Sequence, residues 1–372
     1  MDYHKVRSTF GVTKGQDLLS ASIGFFDGHN DFLLRLMRAA TPREVTWLGG
    51  GCGGHLDLAR MKKAGFIGGL FAIFVPTASS GSPPDFKALM AQQPFALPMP
   101  PEMDARTAQP TALAMAGLMH WMARVAPNDF AVCRSVPEIR SAIDSDRIAG
   151  VMHMEGAEPI APDLDVLYLF HEMGLRSLGP VWSRPTAFGH GVPMAFPGTP
   201  DTGPGLTGAG KDLVRLCNSL GILVDLSHMN EAGFNDVAAI SDAPLVATHS
   251  NAHALCPSTR NLTDRQLSII RESGGMVGLN FSTFYLNANG TSNPNTEWDT
   301  IARHLDYLIA KLGEDHVGLG SDFDGCVVPD LIGDVTGVPR MFEALAERGY
   351  EDSLLRKLAR ENWLACLDRI QR

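Results

Sequence analysis

The sequence has no Cys-x-x-Cys pair and no dense cysteine framework. Its 6 cysteines stand singly at positions 52, 133, 217, 256, 326 and 366. In a chain of 372 residues that spacing excludes a disulfide-stapled scaffold and points to reduced thiols in a reducing compartment. Positive charge is also scarce. Lys and Arg total 31 against 41 Asp and Glu, a formal net charge of −10, which argues against a chain built to coat nucleic acid or an anionic membrane. No run approaches the roughly 20 apolar residues that span a bilayer. The amino-terminal stretch lacks a basic segment followed by an apolar one, and the carboxy-terminal stretch reads as an amphipathic helix instead of a lipid-anchor signal. Internal repeats and low-complexity tracts are absent. The expectation from these absences is a soluble cytoplasmic protein with no membrane anchor and no nucleic-acid partner.

What the chain does have is core material, with 45% hydrophobic and only 19% charged residues. Short runs rich in Val, Ile, Leu and Phe predict strands at Ile23–Asp27, Phe66–Val75, Ile148–Met154, Leu175–Gly179, Ile222–Leu226, Pro244–Thr248, Met276–Phe281 and Val317–Ser321. Continuously apolar strands suit a parallel sheet buried on both faces. Between them lie helical patterns. Leu213, Leu216, Cys217 and Leu220 share one face before Gly221, and Thr263 to Gln266 fits a capping box. This alternation predicts an α/β fold, a (β/α)8 TIM-like barrel, with a doubly wound open sheet as the alternative. Residues 76–110 are proline-rich and predict a lid-like loop insertion, and a second Gly- and Pro-rich stretch runs over 189–210. Composition does not shift along the chain, so residues 1–372 read as one domain.

In a barrel, catalytic groups stand at the C-terminal ends of strands. The first predicted strand ends in Asp27-Gly-His29-Asn-Asp31 and the third in His153-Met-Glu155-Gly156. The fifth ends in Asp225-Leu-Ser-His228, the sixth in Thr248-His249-Ser-Asn251 and the eighth in Gly320-Ser-Asp322-Phe-Asp324-Gly325. Each residue alone has a plain structural explanation, as a core histidine or a helix cap. Together, His29, Asp31, Glu155, His228, His249 and Asp322 make a ligand set for two metal ions with one carboxylate bridging. Oxygen and imidazole donors without cysteine suit catalytic Zn²⁺, and also accept Mn²⁺ or Co²⁺. Two ions roughly 3.5–4 Å apart can lower the pKa of water toward about 7 and polarise a carbonyl.

These motifs, with His55-Leu-Asp-Leu-Ala-Arg-Met, Gly68-Gly-Leu-Phe71 and Thr259-Arg-Asn-Leu262, resemble the membrane (renal) dipeptidase family, the binuclear zinc peptidases of family M19. The resemblance covers most of the chain in the family's order. It implies that His29 and Asp31 hold one zinc, His228 and His249 the other, and that Glu155 bridges them. It implies Asp322, near the first zinc, as the proton shuttle and Arg260 as the clamp for the dipeptide carboxylate. A His-x-Asp pair with a bridging Glu distinguishes this branch from relatives with His-x-His and a carboxylated lysine. Two positions depart from the better-known members. Ala157-Glu158 follows the bridging carboxylate, and Trp182 stands where a histidine helps polarise the scissile carbonyl, with His190 the nearest histidine downstream.

The expected function is that of a metal-dependent dipeptidase, in which a hydroxide bridging two Zn²⁺ attacks the peptide bond and a C-terminal D-residue is accepted. The alternative is another binuclear amidohydrolase acting on N-acyl amino acids, lactones or cyclic amides. A dipeptide is the expected partner. Many relatives form dimers, so a homodimer is one option for the assembly.

Overall fold

The computed structural model describes residues 23–49, 53–77 and 93–371. Its strands are β1 (Phe25–Asn30), β2 (Phe66–Phe74), β3 (Phe95–Ala96), β4 (Phe130–Val132), β5 (Ile148–Glu155), β6 (Leu175–Gly179), β7 (Ala195–Phe196), β8 (Leu223–Val224), β9 (Val246–Ala247), β10 (Met276–Leu279) and β11 (Val317–Leu319). Eight of them form one parallel path in the order β8-β6-β5-β2-β1-β11-β10-β9. A parallel bridge between Asp225 and Val246 joins the two ends, backed by the Leu226 N–H on the Val246 carbonyl at 2.9 Å. That bridge excludes the open-sheet alternative and makes the fold a (β/α)8 barrel. All eight predicted strands are present. The short β4 was not predicted and pairs outside the path, on β5.

The barrel interior follows from alternation. Every residue of β5 is buried, and Val151, His153 and Glu155 fall two apart on one face. Val151 packs with Phe26, Leu70, Leu223, Val246, Met276 and Trp363 in a cluster distinct from the larger one between strands and helices. His153 and Glu155 continue the same face toward the rim. In β1 the pairing with β2 shifts register between Asp27 and Asn30. Such irregularities re-aim side chains near active sites. The strand therefore runs three residues beyond its predicted end and carries His29 with it.

The predicted insertion needs a revised boundary. Residues 105–110 belong to the helix Ala105–Val125, which Asp104 caps by accepting from the Thr107 N–H and which holds Pro110 within it. Part of the rest pairs with the second Gly- and Pro-rich stretch, as β3 and β7 form an antiparallel ribbon. Residues 78–92 of the predicted insertion lie outside the described residues. Among the described residues, no helix is long and apolar enough to cross a membrane.

The carboxy-terminal helix Asn362–Ile370 delivers Trp363 into the barrel interior, where it is fully buried. Its indole N–H donates to the Leu319 carbonyl at 2.8 Å. A Cβ at Gly28 or Gly318 would collide with the ring, so glycine at both positions makes room for it. Trp363→Ala is expected to cost about 3–5 kcal/mol of stability through the cavity it leaves. Urea unfolding measures this, and an unchanged midpoint would contradict the assigned packing.

Candidate active site

Five strand ends meet around Glu155. Its Oε1 lies 2.9 Å from His228 Nε2 and 3.5 Å from His249 Nε2, while its Oε2 lies 3.8 Å from His29 Nε2. Asp31 Oδ2 stands 3.6 Å from the same His29 nitrogen. The two carboxylate oxygens thus serve two sides, with His29 and Asp31 on one and His228 and His249 on the other. His29, Glu155 and His249 converge as one potential metal-ligand group, and His29, Asp31 and Asp322 as a second.

A buried framework fixes these groups. Asp225 accepts from the Thr248 N–H at 2.8 Å, the Thr248 hydroxyl at 2.6 Å and the Ser227 hydroxyl at 2.6 Å, so one carboxylate ties together the two strand ends that carry His228 and His249. Asp27 does the same for β1 and β11 by accepting from the Ser321 N–H at 2.7 Å and the Ser321 hydroxyl at 2.8 Å. The Thr248 hydroxyl gives its only proton to Asp225, so at its 2.8 Å contact with His249 Nδ1 it must accept. That places the His249 proton on Nδ1 and leaves a lone pair on Nε2, toward Glu155.

The arrangement is poorly balanced as it stands and fits divalent cations. A bare imidazole lone pair beside a carboxylate oxygen is repulsive unless a cation or proton lies between. His29 is fully buried, and neither of its ring nitrogens has a hydrogen-bond partner among the described residues. Burial works against a charged His29, yet the carboxylates of Glu155, Asp31 and Asp322 raise its pKa to about 10. Burial, reinforced by Asp31 and Asp322 against the opposing charge of His29, lifts Glu155 well above the usual carboxyl range. Burial also drives His228 and His249 well below the usual imidazole range, helped by the charges of Arg260 and His29. A proton on His29 offsets part of the negative charge of the neighbouring carboxylates. Cys326 borders the site, and burial followed by the carboxylates of Asp322 and Asp31 pushes its thiol upward.

Asp322 sits in a turn with two left-handed non-glycine residues, Asp322 at φ 59° and Asp324 at φ 67°. Strain of this kind persists only where the surroundings over-determine it. The Asp322 N–H donates to the His29 carbonyl at 3.0 Å, and its Oδ2 accepts from the Asn280 side chain at 3.0 Å. A Cβ at Gly325 would collide with the carboxylates of Asp31 and Asp322, so the turn closes only around glycine there. Asp324 accepts from the His55 N–H at 2.6 Å and lies 3.3 Å from Arg35, bracing the turn from behind. Burial raises Asp322 to about 6 against the opposing charge of His29.

The site opens into a cavity of about 620 Å³ lined by Asp31, Glu155, Trp182, His228, Arg260 and Asp322 among others. Arg260 is buried, donates to the Ser227 and His249 carbonyls, and lies over the Tyr285 ring. Trp182 forms a wall, edge-on to Phe74 at 5.0 Å and 5.9 Å from the His228 ring. His190 does not line the cavity. Pairing of Gly191 with Met229, and the Asn230 N–H on the His190 carbonyl, hold it beside that segment. Glu158 is buried away from the cavity lining, in an ion pair with Arg184 at 2.7 Å. Arg184 also donates to the Val75 carbonyl at 2.8 Å, which anchors the Trp182–Arg184 segment to the end of β2. Ser183 of that segment lies 3.0 Å from His228 Nδ1.

Sequence reasoning missed Asn280 and the Glu158–Arg184 pair. Asn280 carried a usable signal, as a polar residue directly after the apolar run Met276–Leu279. Glu158 and Arg184 are 26 residues apart and carried none.

Because a cation held by His29 must displace the proton that the neighbouring carboxylates favour there, metal binding to the metal-free protein is expected to release protons at pH 7 and to tighten as pH rises. Calorimetry in buffers of different ionisation enthalpy measures the release. A buffer-independent heat would contradict the protonated His29.

Known proteins share this architecture. A solved metallo peptidase from Rhodobacter sphaeroides, liganded with a phosphinate mimic of the dipeptide L-Ala-D-Ala, is similar at 60% identity with a TM-score of 0.91, covering 93% of this chain and 99% of that one. An uncharacterized protein in the PQQ-III 3' region of Acinetobacter calcoaceticus is 43% identical over 291 residues, which is 78% of this chain and 90% of that protein. An uncharacterized protein in the pqqA 5' region of Klebsiella pneumoniae is 50% identical over 239 residues, 64% of this chain and 88% of that protein. The family model of membrane dipeptidases matches residues 13–372, and the chain belongs to that family, peptidase family M19.

Proposed function

We propose that this chain is a dipeptidase working with two Zn²⁺, for which Mn²⁺ or Co²⁺ can substitute. In this reading His29 and Asp31 would hold one ion and His228 and His249 the other, with Glu155 between the two pairs and Asp322 beside the first. The observation that carries it is the division of the two Glu155 oxygens between the two pairs. When bound, the ions supply the positive charge that makes water nucleophilic near neutral pH and polarises a carbonyl.

The chain's own residues do the rest. Arg260 offers a planar fork for the dipeptide's free carboxylate, a geometry that lysine does not match. Trp182 and Ser183 close the side of the site next to His228. Asp322 takes a proton from the attacking water and returns it to the leaving amine nitrogen. The phosphinate ligand of the Rhodobacter relative supports a C-terminal D-residue among the substrates. The whole chain acts as one barrel domain, and the free state of the five described cysteines supports a reducing, cytoplasmic setting.

Asp322→Asn is expected to keep its metal content and lose about a hundredfold or more in kcat, since proton transfer is what it removes. Metal analysis alongside steady-state kinetics checks this, and an unchanged kcat would exclude Asp322 from proton transfer. Arg260→Lys keeps a cation but loses the fork, so KM for dipeptides should rise by about tenfold with a smaller effect on kcat. A fall confined to kcat would contradict the clamp. Hydrolysis of N-acyl amino acids in place of dipeptides would overturn the substrate assignment.

A further inference from the structure

The ribbon of β3 and β7 lies outside the barrel sheet. Phe95 pairs with Phe196 and Ala96 with Ala195, and the Leu97 N–H extends the ladder to the Met194 carbonyl at 2.9 Å. The Phe95 ring stands 6.5 Å from Phe196 and 6.2 Å from Phe284, which fixes the ribbon against the segment after β10. Just past the pairing, one arm presents Leu97 and Met99 to the cavity and the other presents Met194.

The ribbon is also tied to the loop that carries Arg260. The Ala195 N–H donates to the Thr259 hydroxyl oxygen at 3.3 Å, the Thr259 N–H donates to the Ala195 carbonyl at 3.3 Å, and the Thr259 hydroxyl donates to the Pro193 carbonyl at 2.5 Å. Met194 and Arg260 therefore flank one hydrogen-bonded pair, Ala195 and Thr259, and both line the cavity. In a dipeptide the C-terminal side chain leaves the carbon that bears the free carboxylate. With that carboxylate on Arg260, this side chain is the part of the substrate nearest Met194. The wall it meets is apolar, and a volume of about 620 Å³ leaves space beyond two small residues.

We propose that the ribbon is the side-chain subsite for the C-terminal residue, that the enzyme favours large apolar residues there, and that Met194 and Leu97 set this preference. The proposal rests on the dipeptidase reading above. Transfer of an aliphatic or aromatic side chain from water to such a wall favours it over glycine, and a methionine-containing wall adapts to several shapes.

The test is steady-state kinetics of the zinc-loaded full chain on Ala-Gly, Ala-Ala, Ala-Leu, Ala-Phe and Ala-Asp, with the C-terminal residue in both configurations. The expected result is a kcat/KM for Ala-Leu or Ala-Phe at least about tenfold above Ala-Gly. Met194→Ala and Leu97→Ala should each shrink that ratio severalfold. Because the readout is a ratio within one preparation, a partly unfolded variant does not distort it. Equal efficiency across the series, or a ratio unchanged in both variants, would overturn the proposal while leaving the dipeptidase reading intact. So would a preference for Ala-Asp, which would assign selection to the exposed Arg38 at the cavity rim. A loss of discrimination in the reversed series, Gly-Ala against Leu-Ala, with none in the first, would overturn it by moving the ribbon to the other residue. Failure to cleave any dipeptide would overturn the underlying reading and the proposal with it.

Discussion

Three imidazoles turn their Nε2 atoms toward one buried carboxylate, and that convergence on Glu155 is the constraint around which the molecule is organised. Ionisable groups taken out of water at this density are costly unless charge is balanced within the cluster. Imidazole and carboxylate donors so arranged fit divalent cations, whose charge would supply that balance. Everything nearby keeps the donors in place. Asp225 ties the ends of β8 and β9, Asp27 ties β1 to β11, and hydroxyls face the outer nitrogens of His228 and His249. These supports are themselves buried and hydrogen-bonded, as polar groups must be to stabilise a fold.

The barrel supplies the frame for this arrangement at its rim. Alternation along β5 gives Val151 to the apolar interior and Glu155 to the site on the same face. On β1 strict alternation is broken by the register shift, and His29 enters the cluster through that irregularity. Behind the site, Trp363 fills the interior against Gly28 and Gly318, so the glycines near the catalytic residues are explained by packing.

Much of this was legible in the sequence because strand ends are short-range features. An apolar run followed by His, Asp or Glu marks a barrel rim residue without knowledge of distant partners. That logic located His29, Asp31, Glu155, His228, His249 and Asp322, and the structure brings all of them to one place. The family resemblance, and not the strand ends, singled out Trp182 and His190; Trp182 lines the cavity, whereas His190 lies beside the backbone pairing between Gly191 and Met229, a contact across 38 residues. Glu158 looked like a change in the site and is a structural ion pair with Arg184. The ribbon was unreadable for the same reason. Its arms are two residues long, carry no periodicity, and pair across 101 positions from Phe95 to Phe196.

The central claim is that two cations lie on opposite sides of Glu155. Diffraction data collected above and below the zinc absorption edge, from crystals of the zinc-loaded protein, test it directly. The account predicts two anomalous peaks, one bounded by His29 and Asp31 and the other by His228 and His249, with Glu155 between them. A single peak, or peaks remote from Glu155, would contradict it.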